Sequence, residues 1–221
     1  MRPLLIIPAK MGSTRIPDKN VRLLYGKSPL RRAIACCRDI PGGIILVTAN
    51  WGKEGLEDGV YWHRVDDPIH TDTCSMVDVV LDALKSFPGD EEQPVLLVQP
   101  TQPLRQVHHL KAALQLLEGF KFETVASVVR TLSVDKLYRL DAANHPFPRG
   151  AGVEREQDAN ALTYYFDGTV YGFRRHTFLA HPTFHDDHTF CMIMPPDETC
   201  RLDTPQDWLI AGLLLEHRGK G

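Results

Sequence analysis

"LLIIPAKMGSTRIPDKN", residues 4–20, decides how the rest of the chain is read. Leu4–Ile7 is a short unbroken apolar run ending at Pro8, the pattern of a strand buried on both faces. The next twelve positions have no apolar period. They hold a glycine, two hydroxyls, four charged residues and an asparagine, which is the chemistry of a loop. Gly12 would let backbone N–H groups approach an anion, Ser13 and Thr14 can donate to it, and Lys10, Arg15 and Lys19 can neutralise it. The loop therefore suits a polyphosphate. The competing reading is a solvated loop whose cations face water. Neither GxxxxGK[ST] nor GxGxxG is present, so it is not a P-loop or a dinucleotide fingerprint.

Working outward, short apolar runs alternate with amphipathic stretches. "SPLRRAIACCRD" starts with Ser28 as N-cap and Pro29 at the first helical position, and Leu30, Ala33, Ile34 and Cys37 share one face. "IILVT" (44–48) predicts a second strand. "SMVDVVLDALKSF" (75–87) predicts a helix with Met76, Val79, Val80, Ala83 and Leu84 inward. "PVLLVQP" (94–100) predicts a third strand, 106–119 a helix with Val107, Leu110, Leu114 and Leu117 inward, and "TVASVV" (124–129) a fourth strand. This alternation predicts an α/β fold with a parallel sheet covered on both faces. Ligands of such sheets sit at the carboxyl ends of the strands, where the polar loops 9–20 and 99–105 fall.

From about residue 132 the pattern changes. Residues 141–160 are rich in Pro, Gly, Asn and charge, and "LTYYFDGTVYGF" (162–173) has two β-rich halves around Asp167-Gly168, which reads as a hairpin. The sequence thus predicts a single domain over 1–221 with an inserted lobe at about 132–173. A last helix starts near Asp203 or Thr204, either of which can cap it, with Trp208, Ala211, Leu214 and Leu215 inward.

Bulk properties exclude several classes. With 221 residues, 43% hydrophobic and 24% charged, the chain can build a sizeable core. A net charge of −3 is wrong for a basic nucleic-acid binder. No apolar run approaches the roughly 20 residues of a membrane span, and the N-terminal residues lack a signal-peptide pattern. Five cysteines without a CxxC pair read as reduced thiols, hence a cytoplasmic location. His185-Asp186-Asp187-His188 reads as a solvated loop, because adjacent residues rarely converge on one ion. His108-His109 opens a helix with one ring facing solvent.

Five segments in order resemble the acylneuraminate (CMP-sialic acid synthetase-like) cytidylyltransferases. Ala9-Lys10-Met11-Gly12-Ser13-Thr14-Arg15-Ile16-Pro17-Asp18-Lys19-Asn20 is similar to the family's Ala-Arg-x-x-Ser-Lys-x-x-Pro-x-Lys-Asn. "HTDTCSMVDVVLDAL" (70–84), "LLVQPTQPLR" (96–105), "EREQDANALTYYFDGTVYGF" (154–173) and "RLDTPQDW" (201–208) resemble further family segments. Two departures stand out. Lys10 replaces an Arg, keeping charge but losing the bidentate fork, and Arg201 replaces the first Asp of a metal-binding pair, leaving Asp203.

The resemblance implies a Rossmann-like doubly wound sheet and transfer of CMP from CTP to the anomeric hydroxyl of a 2-keto-3-deoxy sugar acid. It implies catalysis by Lys10, Lys19 and Asp203. Nucleotide would be held by Ala9, Lys10, Met11, Gly12, Ser13, Arg15, Lys19, Asn20 and Asp72. Sugar would be held by Gln99, Arg105, Arg155 and Tyr171, with Arg149 a further candidate. Mg²⁺ would sit on Asp203 and Asp72, and two copies would pair through the lobe. Plain structural roles compete: Arg105 could pair with a carboxylate, Tyr171 be a half-buried strand aromatic, Gln99 satisfy a strand end, Asp203 be an N-cap, and Asp72 cap the helix at 75. Two rival functions remain: transfer to another sugar or from another base, and a catalytically weak binding or scaffold protein, which Arg201 favours.

Overall fold

The computed structural model describes residues 1–52, 58–65, 75–119, 122–131, 138–140, 146–148 and 163–219, the two three-residue pieces by backbone alone. Strands β1 (Leu4–Pro8), β2 (Ile44–Ala49), β3 (Val60–Arg64), β4 (Pro94–Leu97), β5 (Thr124–Thr131), β8 (Thr163–Arg174) and β9 (Phe190–Ile193) form one sheet in the order β3-β2-β1-β4-β8-β5-β9. All run parallel except β8, which is antiparallel to both β4 and β5. Strands β6 (Tyr138–Leu140) and β7 (Pro146–Pro148) make a separate antiparallel pair.

Alternation along the central strands builds two cores. Leu5 and Ile7 of β1, Ile45 and Val47 of β2, and Leu96 of β4 face helices α1 (Pro29–Arg38) and α3 (Val107–Gly119). Leu4, Ile6, Leu46, Val95 and Leu97 face α2 (Met76–Ser86) and α4 (Arg175–Ala180) on the other side. Of the expected helical stripes, Leu30, Ala33, Ile34 and Cys37 on α1 and Val79, Val80, Ala83 and Leu84 on α2 are buried, and Met76 is partly buried against the same core as α2. Ser28 caps α1, and Ser75 caps α2 with Asp78 completing a capping box.

A third cluster positions the site. Ile16 from loop 9–20, Leu104 from the loop after β4, and Leu202 meet Leu24, Ala211 and Leu215, the last two on α5 (Pro205–Arg218). Residues distant in sequence are thereby drawn to the carboxyl edge of the sheet.

The hairpin expected around Asp167-Gly168 is not formed. Residues 163–174 are one strand of the main sheet, so the lobe expected at about 132–173 cannot include them. The turn-like residues serve a bulge instead. Ala126 pairs with Tyr171 and Val128 with Phe166, so four residues of β8 stand opposite Ser127 alone. The Ser127 hydroxyl accepts from Val170 N–H at 3.0 Å and lies 3.2 Å from Val170 O, to which it donates. Gly168 has φ +80°, which explains the glycine. Strands β3 and β9 escaped sequence reading because they are short edge strands with half-exposed, mixed side chains.

Candidate active site

Loop 9–20 leaves β1 and is fastened mostly through its backbone. Ala9 N–H donates to Thr48 O at 2.8 Å, Trp51 Nε1 to Ala9 O at 2.7 Å, and Met11 N–H to Asn50 Oδ1 at 2.9 Å. Asn20 is buried and closes the loop, its Nδ2 donating to Lys10 O at 2.7 Å. Gly12 sits at φ +85°. The Ser13 hydroxyl accepts from Ile16 N–H at 3.5 Å, which leaves its own proton to donate.

Lys19 reaches across the chain: its Nζ donates to Leu202 O at 3.0 Å. Leu202 N–H in turn donates to Thr101 O at 2.9 Å, so the segment before α5 lies between the loops after β1 and β4. Burial lowers the Lys19 ammonium pKa below the usual lysine range. Asp203 opposes that shift, and the nearby cations Arg15 and Arg201 add to it. Asp203 is ion-paired to both arginines, with Arg201 Nε 2.6 Å from Oδ2 and Arg15 Nη2 3.4 Å from Oδ1. It does not cap α5. Thr204 does, accepting from Asp207 N–H, while Asp207 Oδ2 accepts from the backbones of Asp203 and Thr204.

The β8 bulge forms the adjoining wall. Because Leu97 pairs with Tyr171, residues 167–170 run beside the segment that follows β4. A Cβ on Gly168 would stand 2.9 Å from Gln99 Oε1 and 3.8 Å from the Tyr171 ring, so both side chains flank this glycine. The Tyr171 ring also packs on Phe184 at 5.1 Å. Asp167, 1% exposed, accepts from the Thr199 hydroxyl at 2.7 Å and from the Thr169 hydroxyl through Oδ2. Its Oδ1 has no hydrogen-bond partner among the described residues.

Arg105 lies differently from expectation. It is buried, with Nε donating to Thr169 O and Nη2 to Gln99 O, both at 2.5 Å. Gln102 Nε2 donates to Asp167 O beside it. The Arg105 guanidinium is thus spent on carbonyls, bracing the loop after β4 against the bulge rather than presenting a charge to a substrate. Arg149, Arg155 and Asp72 lie outside the described residues. The cap role open to Asp72 is filled by Ser75.

His108, His109 and Glu198 offer ligand atoms within 4.8 Å of one another, the metal-like cluster among the described residues. Hydrogen bonding argues against a metal. Gln106 N–H donates to His109 Nδ1 at 3.1 Å, so the ring proton is on Nε2, 2.8 Å from Glu198 Oε2, and no lone pair is left for a cation. These hydrogen bonds from His109, and then His108, hold the Glu198 carboxyl below its usual range. The cluster ties α3 to the 3₁₀ turn Pro196–Glu198, which leads into Thr199–Asp203. Residues 185–188 are an exposed turn, with Asp186 Oδ1 accepting from His188 N–H at 2.9 Å.

For a divalent cation, Asp203 is the available carboxylate of the site among the described residues. Mg²⁺ accepts one or two carboxylates with the remaining positions filled by water and substrate phosphates, so the residues fit one such ion. Among the described residues no second carboxylate joins it, since Arg201 stands where one was expected, and Asp72 lies outside the described residues.

Sequence reading missed Asp167, Thr199, Thr101 and Asn50. Asp167 carried a signal, an Asp-Gly inside a β-rich run, but it read as a turn. The others act through contacts remote in sequence.

Among known proteins, the chain is 28% identical over 227 residues to the N-acylneuraminate cytidylyltransferase of Streptococcus agalactiae, covering 95% of this chain and 52% of that protein. It therefore spans about half the length of that relative. It is 27% identical to the CMP-N,N'-diacetyllegionaminic acid synthase of Legionella pneumophila over 98% of this chain and 97% of the other. The fold matches the 2-C-methyl-D-erythritol 4-phosphate cytidylyltransferase of Francisella tularensis with a TM-score of 0.69 at 14% identity, over 97% and 100% of the two chains. The family model described as cytidylyltransferase matches residues 4–188, and the chain belongs to that cytidylyltransferase family.

Proposed function

We propose that the protein transfers CMP from CTP to the anomeric hydroxyl of a 2-keto-3-deoxy sugar acid. The observation that carries this is the meeting of Lys19 and Arg15 with Leu202 and Asp203, which joins a cationic, glycine-containing loop to a carboxylate some 180 residues away in sequence. In the reaction the anomeric oxygen bonds to the α-phosphorus, the bond to the bridging oxygen breaks, and pyrophosphate and a proton leave. Such transfer needs positioning and charge neutralisation more than covalent help.

Loop 9–20 cradles the β- and γ-phosphates through its backbone N–H groups, the Ser13 hydroxyl, Arg15 and Lys19, with Lys10 alongside. Asp203 would hold Mg²⁺, which when bound would neutralise charge on the phosphoryl oxygens. Gln99 and Tyr171 contact the sugar. Arg149, Arg155 and Asp72 stay as candidates from sequence, the first two for the sugar and the last for nucleotide or metal. The Legionella relative, named a CMP-N,N'-diacetyllegionaminic acid synthase and matched along nearly its whole length, supports a sugar acid as acceptor.

The test is pyrophosphate release from CTP and Mg²⁺ with a panel of sialic, legionaminic, pseudaminic and octulosonic acids. Release with at least one acid is expected. No release with any acid or any nucleotide, from folded protein, overturns the proposal in favour of a binding role.

We further propose that the protein acts as a homodimer. Phe190 and Ile193 on edge strand β9 and Tyr165 on β8 are exposed, around an apolar cavity of about 270 Å³ lined by Val128, Tyr164, Phe166, Cys191 and Ile193. A monomeric mass by sedimentation at working concentration rejects this. No described helix is long and apolar enough to cross a membrane; with reduced thiols, a cytoplasmic location is the reading we favour.

A further inference from the structure

Arg201 is the residue that the family pattern does not explain. Its Nε lies 2.6 Å from Asp203 Oδ2, an ion pair across two positions, yet the side chain remains 54% exposed. Its two Nη groups have no hydrogen-bond partner among the described residues, so the fork edge of the guanidinium is open. Arg105, the described arginine expected to meet the substrate's carboxylate, is committed to two backbone carbonyls. The site therefore contains a buried arginine held by two backbone carbonyls and an exposed one whose Nη groups have no partner among the described residues.

The position of Arg201 bears on both halves of the site. On one side it shares Asp203 with Arg15, beside Lys19. On the other, it follows Thr199, whose hydroxyl donates to Asp167 of the β8 bulge, and precedes Leu202, whose N–H donates to Thr101 O after β4. Asp203 cannot serve every cation at once. A divalent ion ligated by that carboxylate competes directly with the Arg201 Nε for Oδ2.

We propose that Arg201 is the receptor for the carboxylate of the sugar acid, held in reserve by its pair with Asp203 and released when that carboxylate takes a metal. A guanidinium suits this role because its planar fork matches a carboxylate bidentately. The exchange also accounts for an arginine at a position where a second metal ligand was expected: the site uses one cation from solution and one from the chain. It couples the two substrates: the open Nη edge can meet the acid at once, and loading of the nucleotide and its metal frees the Nε edge as well. The proposal rests on the CMP-transfer reading.

The test uses the full chain with Arg201→Gln and Arg201→Lys. In the absence of substrates, Arg201→Gln should bind Mn²⁺ about twofold to fivefold more tightly by electron paramagnetic resonance, since an exposed competing ion pair is weak. With CTP saturating, the same variant should raise KM for the acid about tenfold or more, while KM for CTP stays within about twofold. Arg201→Lys should recover part of the acid's KM, keeping the charge but not the fork. An unchanged KM for the acid, or an unchanged Mn²⁺ affinity, overturns the proposal. Wild-type protein that turns over no acid overturns the transfer reading instead, and the Mn²⁺ measurement still reports on the Arg201–Asp203 exchange.

Discussion

Loop 9–20 and the segment 199–204 face each other across the site, and they are held by different forces. The loop is fixed by its own backbone and by amides: Ala9 to Thr48, Met11 to Asn50, and Asn20 back to Lys10. Of its charged side chains, Lys19 reaches Leu202 O and Arg15 pairs with Asp203. The later segment is fixed by side chains and borrowed contacts: Thr199 to Asp167, Leu202 in the third core, and Asp203 between Arg15 and Arg201. A loop built from backbone donors can tolerate exchange of its side chains. A segment whose carboxylate is neutralised by two arginines depends on which residue is charged at each position. Under the proposed reaction, the contrast puts the chemistry at Asp203 and the scaffold at its neighbours.

The strongest test of that contrast is Asp203→Asn. Turnover should fall about 100-fold, the loss typical of removing a central electrostatic group. The melting temperature should move by no more than about 2 °C, because exposed ion pairs contribute little and Thr204 is the cap. Turnover close to wild type in this variant would falsify a chemical role for Asp203.

Lys19 comes next. Its lowered pKa places the loss of its charge below the ordinary lysine range, so the alkaline limb of kcat/KM should appear early. Lys19→Arg should move that limb upward out of range, at a cost of about tenfold in rate from altered reach. An alkaline limb unmoved by the substitution assigns it to another group.

Gly168→Ala probes the wall of the site. Its φ of +80° and the Cβ placed 2.9 Å from Gln99 Oε1 predict a destabilisation of about 1–3 kcal/mol, read by chemical denaturation. Displacement of Gln99 should raise KM for the sugar more than for CTP. Thr204→Ala should cost about 1 kcal/mol through loss of the cap, with turnover retained, the inverse of Asp203→Asn.

The smallest effect concerns His109. Burial lowers its pKa in the folded state, so the unfolded chain binds the proton more readily. Stability from the neutral ring is present above the unfolded value near 6.5 and is lost as pH falls through the lower folded value. Denaturation midpoints should drop between pH 7 and 5, and His109→Gln should flatten the slope. An identical slope in the variant shows that other groups dominate.

Legibility followed the range of the interactions. Helices α1, α2, α3 and α5 and strands β1, β2, β4 and β5 were readable because apolar periodicity and local caps such as Ser28 and Ser75 act within a few residues. Lys19, Asp203, Gln99 and Tyr171 were named from motif resemblance and lie at the carboxyl edge of the sheet. What was misread depended on partners far away. Asp167-Gly168 has the chemistry of a hairpin turn, but pairing with β4 and β5 on both sides keeps the strand going and turns the pair into a bulge. Arg105 has the chemistry of an anion receptor, but its carbonyl partners at 169 and 99 are brought to it only by folding.

By itself the sequence determined the alternation of buried strands and amphipathic helices, and the cationic loop that follows the first strand. Both are consequences of side-chain period and residue type, which need no knowledge of what lies opposite. Tertiary structure alone decided which arginine is buried and which stays exposed, and that Asp203 sits between Arg15 and Arg201. A charge takes its role from its partners and its access to water, and those are set only when loops separated by some 180 residues are packed together by Ile16, Leu104 and Leu202.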